Sequence, residues 1–386
     1  MDKQKLTAVL SAMEKENVPQ IIISDPAVIF YLTGAWIHPG ERLLALYLNK
    51  NGNHRLLVND LFRQTKDLGV EIQYYNDIQD GVELLAGFMD ASAPVAIDKN
   101  WPARFLLRLQ ELKAASGYVN SSSLVDGVRQ IKTPEEQERM RVASRLNDAV
   151  MEKLVDALSE SHTELELKDI LLKLYTDMGC EGFSFEPITA FAGNAADPHH
   201  EPDNSRGKYG DCVVLDIGGL KDNYCSDMTR TVFLGTVSQR QREIYEIVRE
   251  ANLRGIAAAK PGNRMCDVDN AARGYIEEKG FGKYFTHRTG HSIGLEVHEA
   301  GDVSAVNAAI IQPGQCFSVE PGIYIPEENI HRAEVIYGLS GTSLASILLS
   351  VFAFLIVVFL SFVIIPNLIQ MVSNFIAGIT PQSNIL

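Results

Sequence analysis

The chain has few cysteines, and none of the five (Cys180, Cys212, Cys225, Cys266 and Cys316) stands in a Cys-x-x-Cys pair. An odd number without that spacing argues against a disulfide framework and points to reduced thiols in a cytosolic setting. Bases are also scarce: 35 Lys and Arg face 49 Asp and Glu over 386 residues, a net charge of −14. Such a balance argues against a nucleic-acid partner. The start, Met1 to Thr7, lacks the apolar run of a secretory signal, so no signal peptide is expected and the catalytic part is assigned to the cytoplasm. The last deficit is local. From Val335 to Leu386 there is no Asp, Glu, Lys, Arg or His, and within 345–365 serine is the only polar residue. That segment is long enough to cross a bilayer as a helix, with no Lys or Arg to set its orientation. It reads as a membrane anchor or as an aberrant end in place of a normal terminus.

A hydrophobic content of 46% supports a substantial core, and the length suits two domains or one large one. Residues 2–16 have the apolar spacing of an amphipathic helix, and Ile21-Ile22-Ile23 reads as a short buried strand. Asp25-Pro26 opens a helix to about Leu32. Strands at 42–48 and 55–58 flank the turn Asn51-Gly52-Asn53. Helices near 60–68, 79–89 and 102–113 alternate with strands near 70–75 and 95–97, which makes residues 1–125 an α/β domain. No cluster of His, Cys or paired acids there suggests chemistry. Ser121-Ser122-Ser123 and Lys132 to Glu136 mark the boundary. Thr133 is a good N-cap, Pro134 sits at the first helical position, and Glu135-Glu136 complement the dipole. Two helices, strands, two more helices (238–260 and 266–279) and further strands then suggest a weakly duplicated α+β domain over 132–338.

Residues 211–234 carry the first chemical signal. Cys212 to Ile217 and Tyr224 to Leu234 read as two strands of a hairpin, turned by Gly218-Gly219 and Lys221-Asp222-Asn223. Each strand holds one carboxylate among apolar neighbours, Asp216 and Asp227. A buried carboxylate needs a cation or a cage of donors, and two on adjacent strands can hold a divalent metal. Either aspartate alone is explained as well by turn amides. Downstream, His287, His291 and His298 fall within twelve residues, with Gly290 and Gly294 flanking His291. A satisfied core histidine explains three imidazoles there poorly. Glu320 then ends an apolar strand before Pro321-Gly322. Asp216, Asp227, His291 and Glu320 form a carboxylate and imidazole set suited to Mn²⁺, Co²⁺, Zn²⁺ or Fe²⁺.

These motifs resemble the Xaa-Pro peptidases, prolidase and aminopeptidase P, of the pita-bread metallopeptidases. The match lies in Asp216-Ile217-Gly218 with Tyr224 to Thr231, His287 to Gly294 through His298-Glu299, Glu320 to Tyr324, and Asn194-Ala195-Ala196 with Pro198-His199. It spans about residues 1–330. The resemblance implies a creatinase-like α/β domain (1–125), a pita-bread α+β domain (132–338) with an atypical last strand, and an apolar tail (339–386) with the candidate membrane helix 345–365. It implies two divalent ions, manganese first, with cobalt or zinc as alternatives. Asp216 would chelate one ion and Asp227 would bridge both. His291 and Glu320 would bind the second, and Glu334 would be the further bridging ligand, supported by Arg332. The family usually reads Gly-Val-Arg-Ile-Glu-Asp where this chain has Ile330-His331-Arg332-Ala333-Glu334-Val335, so only Arg and Glu match there. Glu320 would also shuttle a proton, His199 and His298 would stabilise the oxyanion, and His287 would contact substrate. The implied activity is hydrolysis of Xaa-Pro dipeptides by a metal-activated water, in a homodimer. Aminopeptidase P activity on longer proline-containing peptides is the alternative. A non-catalytic binding protein of the same fold is a third reading, to which the intact ligands are opposed.

Overall fold

The structure is a computed structural model that describes residues 1–325 and the short strand at 330–331. Arg332, Glu334 and the apolar segment 345–365 lie outside the described residues. Among the described residues no helix is long and apolar enough to cross a membrane.

The N-terminal part is a six-stranded sheet with helices on both faces. Its strands are β1 (Gln20–Ile23), β2 (Ala45–Asn49), β3 (Arg55–Asn59), β4 (Glu71–Tyr75), β5 (Pro94–Ile97) and β6 (Gly117–Asn120), ordered β4-β3-β2-β1-β5-β6. Central β1 runs parallel to β5 and antiparallel to β2. Its isoleucines alternate between two cores. Ile21 and Ile23 pack with Val9, Met13 and Leu32 from α1 (Lys3–Lys15) and α2 (Pro26–Thr33). Ile22 packs on the other face with Leu85 and Leu109 from α3 (Gly81–Ala86) and α4 (Ala103–Glu111). A strand covered on both faces reads as a continuous apolar run. The expected helix over 60–68 is only a 3₁₀ turn at Asp60–Phe62. The backbone N–H of Gln64 donates to the Tyr74 hydroxyl, so the chain leaves the helical path there. The serine run expected to be a boundary instead starts α5 (Ser122–Gln130).

The second part opens with α6 (Pro134–Ala157) and α7 (Glu164–Asp177). Each starts with a full capping box, Thr133 with Glu136 and Thr163 with Glu166. They cover β7 (Gly182–Phe183), β8 (Ile188–Phe191), β9 (Cys212–Ile217), β10 (Gly219–Lys221), β11 (Tyr224–Cys225) and β12 (Met228–Phe233). The expected single hairpin is divided in two. Strand β9 pairs with β12 in register Asp216↔Thr229, while β10 and β11 form a small ribbon in another sheet. The break has a local cause: Ser226 Oγ donates to the Gly219 carbonyl and accepts from its N–H, which turns the chain just before Asp227. The ribbon's turn places Asp222 and Asn223 at φ 50° and 67°, as a type I′ turn requires. Helices α8 (Gln239–Ala258) and α9 (Met265–Glu278) pack together over Ile323 and Ile325. The pairs β13 (Gly290–Ser292) with β14 (Glu299–Val303), and β15 (Tyr324–Ile325) with β16 (Ile330–His331), complete the described elements.

Candidate active site

Four of the residues expected to bind metal come together in one cleft. Asp216 lies on β9 and Asp227 directly before β12, so the antiparallel pairing brings the two carboxylates to the same end of the sheet. His291 comes from β13, and Glu320 follows the extended segment beside it. His291 Nε2 lies 3.4 Å from Asp227 Oδ2 and 3.3 Å from Glu320 Oε1. Potential ligand atoms of Asp227, His291 and Glu320 all lie within 4.8 Å of one another.

The supports are hydrogen bonds from buried neighbours. His291 N–H donates to Ser318 Oγ at 2.9 Å, and Ser318 Oγ donates to Glu320 Oε1 at 3.1 Å. Glu320 N–H donates to the Thr289 carbonyl at 2.7 Å. Thr289 Oγ1 in turn donates to Asp269, which is fully buried and paired with Arg273. Arg273 also donates to the carbonyl of His287. Gly290 allows the close approach, because a Cβ there would collide with the Ser318 carbonyl. Ser318, Asp269 and Arg273 went unnoticed in the sequence. Ser318 has the signal of standing beside the Glu320 motif, whereas the Asp269 and Arg273 pair is a local helix pair whose link to the site, through Thr289, exists only in the fold.

Charge is concentrated at this point. Burial pushes the Asp227 carboxyl up from its ordinary range, and the nearby Asp216 and Glu320 push the same way. Burial would lower His291, but Asp227 and Glu320 outweigh it and hold the imidazolium favourably. His298 stands with its ring perpendicular to His291, centroids 4.2 Å apart. Burial lowers it to about 4, helped by His291 and Arg288. Three carboxylates crowded in a buried corner repel one another unless protons or a cation intervene, and a single imidazole beside them offsets only part of that charge. Their oxygen and nitrogen donors, without thiolate, are the set that a divalent cation of the Mn²⁺ or Zn²⁺ kind accepts. The residues present therefore fit such a metal.

Around this corner the cleft has a volume of about 380 Å³ and is lined further by His199, His287, His298, Arg288, Phe185 and Tyr324. The three histidines expected to meet substrate thus face the same space as the ligands. His287 Nε2 lies 2.8 Å from the Tyr324 hydroxyl. A second gathering of potential ligands, Glu164, His200 and Asp203, lies outside the cleft lining. Glu164 there already accepts from Phe191 N, Asn194 Nδ2 and Asp203 N, and lies 2.7 Å from His200 Nε2. It reads as the anchor of the loop that bears His199.

A model of metallopeptidase family M24 matches residues 138–345, and one of the creatinase/prolidase N-terminal domain matches residues 5–131. An uncharacterised peptidase of Staphylococcus aureus strain MRSA252 is 34% identical over 333 residues, covering 83% of this chain and 92% of that protein. A dipeptidase structure from Pyrococcus horikoshii OT3 superposes with a TM-score of 0.80 at 31% identity, covering 87% of this chain and 94% of its own. An Xaa-Pro dipeptidase structure from Bacillus anthracis gives 0.78 at 27% identity, with coverages of 88% and 95%. The crowded carboxylate and imidazole corner, the two matched segments and these likenesses agree: the chain is a peptidase and belongs to metallopeptidase family M24.

Proposed function

We propose that this peptidase hydrolyses the Xaa-Pro bond of dipeptides, with two divalent cations, manganese by preference, held by Asp216, Asp227, His291, Glu320 and Glu334. The observation that carries the reading is the convergence of Asp227, His291 and Glu320 within 4.8 Å, in a cleft that also brings in Asp216 and three further histidines. When bound, the cations would lower the pKa of a water, so that hydroxide is available near neutral pH. Glu320, whose Oε1 accepts from Ser318 Oγ, takes up and returns a proton in this reading. His199 and His298 donate to the scissile carbonyl oxygen as charge develops on it. His287, beside the Tyr324 hydroxyl, contacts the substrate, and Arg332 would support Glu334.

Proline specificity follows from chemistry on the substrate side. The bond before proline has no N–H, so a peptidase that needs that donor handles it poorly. Phe185, Ile188 and Val297 offer an apolar wall for the ring. A cleft of about 380 Å³ is at the small end of ligand sites and suits a dipeptide. The name of the Bacillus anthracis structure supports the same substrate. The test is hydrolysis of Ala-Pro and Ala-Pro-Pro by the Mn²⁺-loaded protein. Ala-Pro is expected to be cleaved with at least about tenfold higher kcat/KM. A preference for Ala-Pro-Pro makes the protein an aminopeptidase of the P type. Cleavage of neither, with Mn²⁺, Co²⁺ or Zn²⁺, overturns the proline reading.

A further inference from the structure

His298 sits on the cleft wall, yet among the described residues it makes no hydrogen bond, and the one ring it packs against there is that of His291. Its position is therefore set by its backbone. That backbone is held from outside the catalytic part. Arg129, at the end of α5, donates through one nitrogen, Nη2, to Glu296 Oε2 at 3.0 Å and to Glu299 Oε1 at 2.7 Å. These are the residues two before and one after His298. Lys132 Nζ reaches the other oxygen of Glu299 at 2.8 Å. Glu299 Oε1 also accepts from Leu295 N–H at 2.9 Å, which closes the 295–299 loop on itself. Gln130 Nε2 adds a bond to the Ala300 carbonyl. The side chains of Arg129, Lys132 and Glu299 are only 3%, 3% and 5% exposed. Gly294 leaves the room required, since a Cβ there would lie 2.6 Å from Glu299 Oε1.

A buried ion pair is a poor way to gain stability alone, because desolvation cancels much of the attraction. In some proteins such a pair instead imposes one arrangement where apolar packing would allow several. Here the arrangement imposed is that of the loop bearing His298. We propose that Arg129 is a positioning residue for His298: by holding Glu296 and Glu299 together it fixes the imidazole over the cleft, so the N-terminal domain's last helix takes part in building the active site. This inference rests on the reading of His298 as an oxyanion-stabilising group of the peptidase.

The test is a double-mutant cycle on the full chain loaded with Mn²⁺, using Ala-Pro. The variants are Arg129→Gln, His298→Ala and both together, with Arg129→Lys as the conservative change. Arg129→Gln is expected to lower kcat by about 10- to 100-fold with KM within about threefold, the usual cost of losing an outer support. In the His298→Ala background the same substitution is expected to change kcat less than about twofold, because the two act as one unit. Arg129→Lys keeps a charge and a multiple donor, but its shorter reach and lack of a planar guanidinium weaken the hold on the two carboxylates, and it should fall between. Mn²⁺ affinity by calorimetry should stay within about threefold in Arg129→Gln, since no ligand is disturbed. Equal losses in both backgrounds would show a general structural role and overturn the proposal. If Arg129→Gln gives no cooperative melt, the cycle is run with Arg129→Lys under the same criteria. A wild-type rate for His298→Ala overturns both the proposal and the oxyanion role, whereas additive effects with a crippled His298→Ala overturn the proposal alone.

Discussion

Glu299→Gln is expected to destabilise the protein by about 3 kcal/mol at neutral pH, and the loss should shrink in acid. Glu299 is almost wholly buried, and burial alone would raise its carboxyl. Lys132 and Arg129 outweigh that and hold it at about 2, against an ordinary value of 4.5. A depression of that size corresponds to about 3 kcal/mol of stabilisation by the ionised form, at roughly 1.4 kcal/mol per unit. The range measured for breaking buried ion pairs, about 3–5 kcal/mol, is consistent with it. Because the folded value lies below the unfolded one, the contribution is complete above pH 4.5 and fades as pH falls toward 2. Roughly 2 kcal/mol of it is gone by pH 3. The assay is urea unfolding of wild type and Glu299→Gln without added metal, at pH 7 and at pH 3. The reasoning fails if the difference at pH 7 is under about 1 kcal/mol, or if it is the same at both pH values.

Two further substitutions probe the cleft itself. Asp227→Asn removes a charged donor from the crowded corner, and Mn²⁺ affinity by calorimetry is expected to drop by more than about 100-fold; affinity within threefold of wild type would remove Asp227 from the ligand set. Gly290→Ala places a Cβ against the Ser318 carbonyl and should cost about 2–3 kcal/mol in urea unfolding, with loss of peptidase activity because His291 and Glu320 are tied through Ser318. An unchanged midpoint and rate would mean the two segments are not held as described.

What the sequence determined by itself was chemical and local. Asp216 and Asp227 stood out because carboxylates do not belong in apolar strands without a reason. Thr133 and Glu136 announced the start of α6, and the structure has the complete capping box there. These signals are legible because their partners lie within a few residues, or because the residue type contradicts its surroundings. The tertiary structure decided the rest. Only the fold shows that Ser226 splits the expected hairpin, that Asp227, His291 and Glu320 meet within 4.8 Å, and that Ser318 and Asp269 hold them there. Arg129 sits in a stretch that read as a domain boundary, and its carboxylate partners are 167 and 170 positions away. No periodicity or spacing encodes such a pair, because the desolvation that makes it matter exists only once the two parts of the chain have packed together.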